Sequence, residues 1–452
     1  MVDSFRLNSV TYDGLEGQEV CIDTVGETSR EGTWTTAITG KNGVGKSRLL
    51  AQIATVFDAI GSNKPRSGAA ISVSYSMGPL ECNVSLSKGR VESTIGGLQV
   101  EPTFLPGPRA VAAVTTSAFD KFPLPSARFP VDSAPYAAPL YRYLGLKDPR
   151  GRISASAGVQ RALGEMFAAV EMDEPRRSRI ANVFSDLSYE PRIEVAYRWT
   201  GRGLAFLRAT ADGREKSYES SVESKIPNDS AWSQGYIEDP DIRRDVSRAS
   251  ELLRNWDARR ELVLIADFEH HKFAHGEHLM AAQLLKRSGM IEMKSVTLIR
   301  ADSGSRLDLN DASSGELSLV TAVLGIASAI DDKSLVLIDE PEISLHPDWQ
   351  GGYLDLLRRA FERYKGSHFI VATHSPLIVS GIDASHSNVL SLEGNPNDRD
   401  TKNLSGKSAD EVLIGAFNVA GRNNLYLKQS LVRALRMAAD RKFNTHEFVE
   451  LM

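Results

Sequence analysis

Cysteine is nearly absent. Cys21 and Cys82 are the only two in 452 residues, and they lack CxxC spacing. No disulfide framework or closed thiolate metal set can be built from them, and such usage fits a reducing compartment. Long apolar runs are also missing. No stretch of about 18 apolar residues exists, so no segment reads as a membrane span. The richest apolar stretch, Leu317–Ile330, is short and Ala-rich and reads as a buried helix. The opening residues MVDSFRLNSVTYDG are polar and start like a strand, unlike a secretory leader. These features point to a cytoplasmic protein. Charge of one sign is not in excess: the formal net charge of −5 gives no whole-molecule argument for nucleic acid, while a local basic groove stays open. No internal repeat and no sustained heptad pattern is present. What remains is a chain of ordinary globular composition. Its length suggests roughly two or three domain-sized units, with a core large enough to need no covalent staples.

Patterning places elements along the chain. Strands are expected at Phe5–Tyr12, Glu19–Asp23, Trp34–Thr39, Ala70–Ser76, Cys82–Leu86, Val91–Ile95 and Val111–Thr115. Apolar residues at helical spacing mark Ser47–Ile60. Between about 150 and 300 helical patterns fall near Gly158–Glu171, Asp241–Asp267 and Glu277–Ser288, with strand-like pieces at Ile193–Trp199 and Leu204–Thr210. Asp212–Gln234 reads as a polar loop. Ser295–Arg300 reads as a strand, Leu317–Ile330 a helix, Leu335–Ile338 a buried strand, Asp348–Arg363 a helix and His368–Thr373 a buried strand. Glu393–Ser408 reads as a loop, followed by helical material.

Chemistry enters at Gly40-Lys41-Asn42-Gly43-Val44-Gly45-Lys46-Ser47, a match to G-x-x-x-x-G-K-[ST] between a strand and a helix. Gly40, Gly43 and Gly45 allow the backbone to wrap phosphate oxygens, and Asn42 lies in the same wrap. The helix start turns free N–H groups and a positive dipole end toward the anion. Lys46 supplies a cation, and Ser47 a hydroxyl for magnesium.

A second cluster lies near the other end. Leu335-Val336-Leu337-Ile338-Asp339-Glu340 is a buried strand ending in two carboxylates. Such a pair suits phosphoryl transfer: one holds the magnesium water shell and the next orients water. Upstream stands Asp311-Ala312-Ser313-Ser314-Gly315-Glu316. Downstream stand Pro341-Glu342-Ile343-Ser344-Leu345-His346-Pro347 and Ala372-Thr373-His374-Ser375-Pro376. In this order and spacing the set resembles the ABC-type ATPase heads of the SMC, RecF and OLD families. The resemblance covers roughly 1–120 and 295–392.

The resemblance implies an α/β fold: an ABC/SMC-like P-loop ATPase head with a mixed sheet and central helices. A mainly helical insertion would fill 121–294 and a helical extension 393–452. It implies ATP and Mg²⁺ as cofactors. Asp339 would hold magnesium, Glu340 would activate water, and His374 would face the γ-phosphate end. Ser313 and Gly315 would cap ATP on the opposite protomer of a head-to-head homodimer, which leaves room for higher oligomers. Ser314 and Ala312 depart mildly from the usual signature, and a Q-loop is expected near Thr115–Lys121. His346 stays open between a D-loop and a purely structural role.

The insertion lacks heptads, and about 78 residues follow His374, too few for a TOPRIM domain. The chain therefore resembles stand-alone ATPase subunits of antiphage systems, Septu and retron-associated ATPases first and the PARIS ATPase second. There the partner is a separate effector, often an HNH or TOPRIM-type nuclease. Two other readings stay open: a RecF-like ATPase binding DNA through a groove including Arg176, Arg177 and Arg179, and a nucleotide-dependent scaffold. The histidines of His270–His278 read as a solvated face, not a metal site.

Overall fold

The computed structural model describes residues 4–12, 19–22, 32–62, 70–124, 139–147, 174–211, 240–253, 260–269, 276–383 and 385–392, with isolated positions between and after them. The expectations for Gly158–Glu171, Asp212–Gln234 and Glu393–Ser408 fall largely or wholly outside these residues. So do most of the C-terminal segment and the histidines of 270–275.

The centre is a parallel sheet of six strands in the order β16-β3-β15-β14-β8-β9. Its members are β3 (Trp34–Thr39), β8 (Val111–Thr115), β9 (Tyr141–Leu144), β14 (Leu335–Asp339), β15 (His368–Ala372) and β16 (Ser387–Ser391). Both faces are covered, which is why inner strands such as β14 and β15 read as nearly continuous apolar runs. Leu335 and Leu337 enter one core cluster, and Val336 and Ile338 the other, as the two-residue repeat of a strand requires.

On the first face lies α1 (Lys46–Ser62). It also contacts a six-stranded antiparallel sheet of order β2-β1-β4-β5-β6-β7. That sheet comprises β1 (Phe5–Tyr12), β2 (Glu19–Cys21), β4 (Ile71–Met77), β5 (Leu80–Ser87), β6 (Arg90–Ile95) and β7 (Leu98–Val100). Phe5, Phe57 and Tyr75 pack together between the layers in edge-on and tilted contacts. The second face is covered by helices at Glu174–Asp186, Ser314–Ala329 and Pro347–Phe361.

The segment between the two halves holds more helix than strand among the described residues, yet its centre is a sheet. β10 (Tyr189–Trp199), β11 (Leu262–Asp267), β12 (Ile291–Arg300) and β13 (Arg306–Asp308) form an antiparallel sheet of order β11-β10-β12-β13. Two expectations are corrected here. Leu204–Thr210 is not strand but part of a helix, Gly201–Ala211. The Thr200 hydroxyl accepts from Gly203 N at 3.1 Å, an N-cap that starts the helix. Asp241–Asp267 is not one helix. The helix Pro240–Leu252 ends, and Leu262–Asp267 pairs antiparallel with Arg192–Tyr197. Short apolar runs of this kind are ambiguous by period alone.

Candidate nucleotide site

Parallel register sets the site. Ala372 pairs with Ile38, and Asp339 pairs with both Ala372 and Thr115. The loops after β3, β15, β14 and β8 therefore emerge at one edge, where open α/β sheets bind their ligands.

β3 runs directly into the loop that opens α1. Gly43 and Gly45 hold φ of +83° and +107°, values that side chains with a Cβ avoid. Gly40 also has a positive φ, and Asn42 is exposed on the turn. No acidic residue occupies the first turn of α1, so its dipole end is left to attract an anion. Lys46 is 3% exposed. Its ammonium donates to Gly40 O at 2.6 Å and Lys41 O at 3.3 Å, and meets His374 Nδ1 at 3.0 Å. An ammonium only donates, so Nδ1 accepts and carries no proton. Burial, then the charge of Lys46, lower the His374 imidazole to about 4.

Ser47 Oγ donates to Asp339 Oδ1 at 3.0 Å. Asp339 is 1% exposed. Burial pushes its carboxyl up to about 7 against the bond from Ser47, and the charges of Glu340, Asp120 and Glu342 add to the rise. A desolvated carboxylate of this kind is stabilised by a cation. Hydroxyl and carboxylate together are the few hard oxygens that magnesium takes from protein, the rest coming from waters and phosphate. Among the described residues no cluster of three His, Cys, Asp or Glu side chains offers another metal cage.

Glu340 leaves β14 in the left-handed region, φ 49° and ψ 54°. Its N–H donates to Ala372 O at 2.9 Å, and its Oε1 stands 3.6 Å from His374 Nε2. His374 thus lies between Lys46 and Glu340.

No described hydrogen bond joins Ser313 or Gly315 to this constellation. Ser313 is the N-cap of Ser314–Ala329, its Oγ accepting from Glu316 N at 3.2 Å. A Cβ on Gly315 would stand 2.6 Å from Ser344 O, so only glycine permits the helix to press on the turn after β14. The hydrogen bonds described for Ser313 stay on its own helix. His346 is the exposed N-cap of Pro347–Phe361.

The segment Thr115–Lys121 does run beside Asp339, but it contains no glutamine. Its charge nearest the site is the buried Asp120, which accepts from Tyr143 Oη at 3.0 Å and pairs with Lys147 at 3.0 Å. The groove residues named for DNA divide otherwise. Arg176 pairs with Asp331 at 3.2 Å and Arg179 with Asp332 at 2.9 Å, and Arg179 stacks on Tyr364. Those two cations brace the head internally.

Sequence reasoning passed over Glu342. Its Oε2 accepts from Thr373 Oγ1 at 2.9 Å and its Oε1 from His374 N at 2.5 Å. The available signal was a second acidic residue two positions after Glu340, but its partners lie about thirty residues away in the chain.

Residues 208–380 match the family described as AAA domain, putative AbiEii toxin, Type IV TA system. That span takes in the second cluster and leaves out the P-loop. The chain is 29% identical over 143 residues to the Retron Ec83 probable ATPase of Escherichia coli, covering 29% of this chain and 26% of that protein. It is 28% identical over 130 residues to the Retron Vc95 probable ATPase of Vibrio cholerae, covering 25% and 24%. The matched stretch is thus about a quarter of each relative's length. The SMC head domain from Thermotoga maritima aligns over 85% of this chain and 94% of its own, with a TM-score of 0.35 and 12% identity. No described helix is long and apolar enough to cross a membrane. P-loop motif, carboxylate pair and histidine are gathered at one sheet edge, and over part of its length the chain is similar to the AAA-domain family and to the probable ATPases of two retrons.

Proposed function

We propose that this chain binds ATP with magnesium, hydrolyses it, and uses the cycle to control a separate effector. The observation that carries the reading is the convergence of Lys46, Ser47, Asp339, Glu340 and His374 at the ends of three parallel strands. Residues 1–120 and 295–392 supply most of the two halves of one head and 393–452 an extension, while 121–294 is not purely an insertion: β9 joins the head's sheet, and the insertion sheet continues past 294 through β12 and β13.

The P-loop amides and Lys46 bind the phosphates; Lys46 exchanges its bonds to Gly40 and Lys41 for phosphate oxygens. Ser47 and Asp339 hold magnesium, which when bound neutralises phosphate charge. Glu340 orients the attacking water and accepts its proton. His374, neutral because burial and Lys46 depress it to about 4, serves as a hydrogen-bonding group beside the terminal phosphate. No described hydrogen bond ties Ser313 to the chain's own P-loop, and a helix N-terminus suits capping of nucleotide on a second copy. Partial similarity to the probable ATPases of two retrons accords with the motif resemblance, from which the role in antiphage defence and a nuclease as the effector's class are drawn.

The test compares wild type with Glu340→Gln. Wild type turns over ATP with magnesium and not in chelator. The variant keeps ATP affinity, loses turnover by about 100-fold or more, and accumulates ATP-dependent dimers in sedimentation. Equal turnover in the two proteins removes Glu340 from the water-orienting role.

A further inference from the structure

Most polar groups at this sheet edge are explained by nucleotide. Glu342 is not. It sits in the 3₁₀ turn Pro341–Ser344 after β14, yet both its carboxylate oxygens are directed at the turn after β15. We propose that Glu342 is a positioning residue for hydrolysis, a clasp that joins the ends of the two strands and sets the placement of His374 between Lys46 and Glu340. The proposal rests on the ATPase reading above.

The clasp is one of several stitches between the same two segments. Thr373 Oγ1, which donates to Glu342, also accepts from Ser375 N at 2.9 Å. Ser375 Oγ donates to Gln350 Oε1 at 2.6 Å, and Gln350 Nε2 donates to Leu345 O at 3.0 Å. Backbone bonds fix the strand ends themselves: Thr373 N to Ile38 O at 3.0 Å and Glu340 N to Ala372 O at 2.9 Å. Beyond Thr373 the backbone of His374 is held by Glu342 alone among the described hydrogen bonds. Two donors meet at one point there, and a carboxylate satisfies both at once. Without it, a part-buried N–H loses its acceptor, and the imidazole is free to leave the line between Lys46 Nζ and Glu340 Oε1. Hydrolysis depends on that line and phosphate binding does not, so the loss falls on turnover.

The experiment is a double-mutant cycle on the full chain with Glu342→Ala, His374→Ala and the pair, with Glu342→Gln as the conservative variant. ATP affinity, kcat and Tm are measured for each. Glu342→Ala lowers kcat about tenfold to a hundredfold at unchanged ATP affinity, as misplacement of a catalytic group does. Glu342→Gln recovers most of it, because the amide oxygen accepts from His374 N and the amide nitrogen donates to Thr373 Oγ1. In the His374→Ala background, removal of Glu342 costs nothing further in kcat. Additive losses overturn the proposal, and so does a Gln variant as slow as the Ala variant. Absence of turnover in wild type would instead strike the ATPase reading itself.

Discussion

Two of the buried carboxylates among the described residues sit at opposite extremes of environment. Glu194, on the insertion sheet, is 6% exposed, and Asp339, at the head's sheet edge, 1%. Burial pushes both carboxyls up. At Glu194 the bonds and charges of Arg306 and Arg192 outweigh burial and hold the group below the usual carboxylate range. At Asp339 a single hydroxyl opposes burial, three other acids reinforce it, and the carboxyl stands near 7. The insertion sheet settles its charge within the fold. The head's edge leaves an acid whose charge is balanced only when a cation arrives. A buried carboxylate without a basic partner costs stability, and sites where that cost persists are places of function.

The comparison can be broken at several points. The largest effect is expected from Lys46→Ala, which removes the buried ammonium from the loop. ATP affinity falls by roughly 100-fold or more, as read by equilibrium binding of labelled nucleotide. Equal affinity would remove the P-loop assignment. Next is Ser313→Arg, which leaves the chain's own P-loop untouched. ATP still binds, while turnover falls about tenfold or more because the second copy can no longer close. Full turnover in a strictly monomeric preparation would sink the composite site.

The pH dependence sharpens the contrast between the acids. In magnesium-free, nucleotide-free protein, the Asp339 carboxyl near 7 lies above its ordinary 3.8. Between those values the native state holds a proton that the unfolded chain has released. Its contribution to stability therefore falls as pH rises from about 4 to about 7 and is level above that. Asp339→Asn flattens this slope in thermal unfolding measured in chelator, and weakens magnesium-dependent nucleotide binding. A slope that survives the substitution belongs to other groups. Glu194 behaves with the opposite sign: its stabilisation is present at neutral pH and is lost as pH falls through its depressed value. The smallest effect is expected from Arg306→Ala. It lowers stability by up to about 1 kcal/mol, because the guanidinium is exposed and Arg192 still pairs with Glu194, weakens the acid-side loss from Glu194, and leaves ATP affinity unchanged.

Legibility in the sequence follows the range of the interactions. The P-loop was readable because its determinants are contiguous: glycines for positive φ, then the lysine and hydroxyl at a helix start. The end of β14 was readable because a buried strand finishing in Asp339-Glu340 declares its polarity. The role of Glu342 was not, since Thr373 and His374 reach it only through the β14–β15 pairing. Of the insertion sheet, Ile193–Trp199 and Ser295–Arg300 were readable as strands, but the rest was not. Leu262–Asp267 becomes a strand by pairing with β10. Gly201–Ala211 becomes a helix through the Thr200 cap, with Gly203 packed so closely that a Cβ would meet Met290 O at 2.0 Å.

By itself, then, the sequence determined the motifs, their order, and the inner apolar strands of the central sheet, but not its edge strands β9 and β16, because backbone conformation and hydrophobic period are local properties. Tertiary structure alone decided that Lys46, Asp339, Glu340 and His374 share one edge, because parallel register sets strand ends side by side. It also decided which acids are neutralised, because a carboxylate's charge state depends on the desolvation and partners the fold supplies. Glu194 and Asp339 look alike in sequence and differ for that reason.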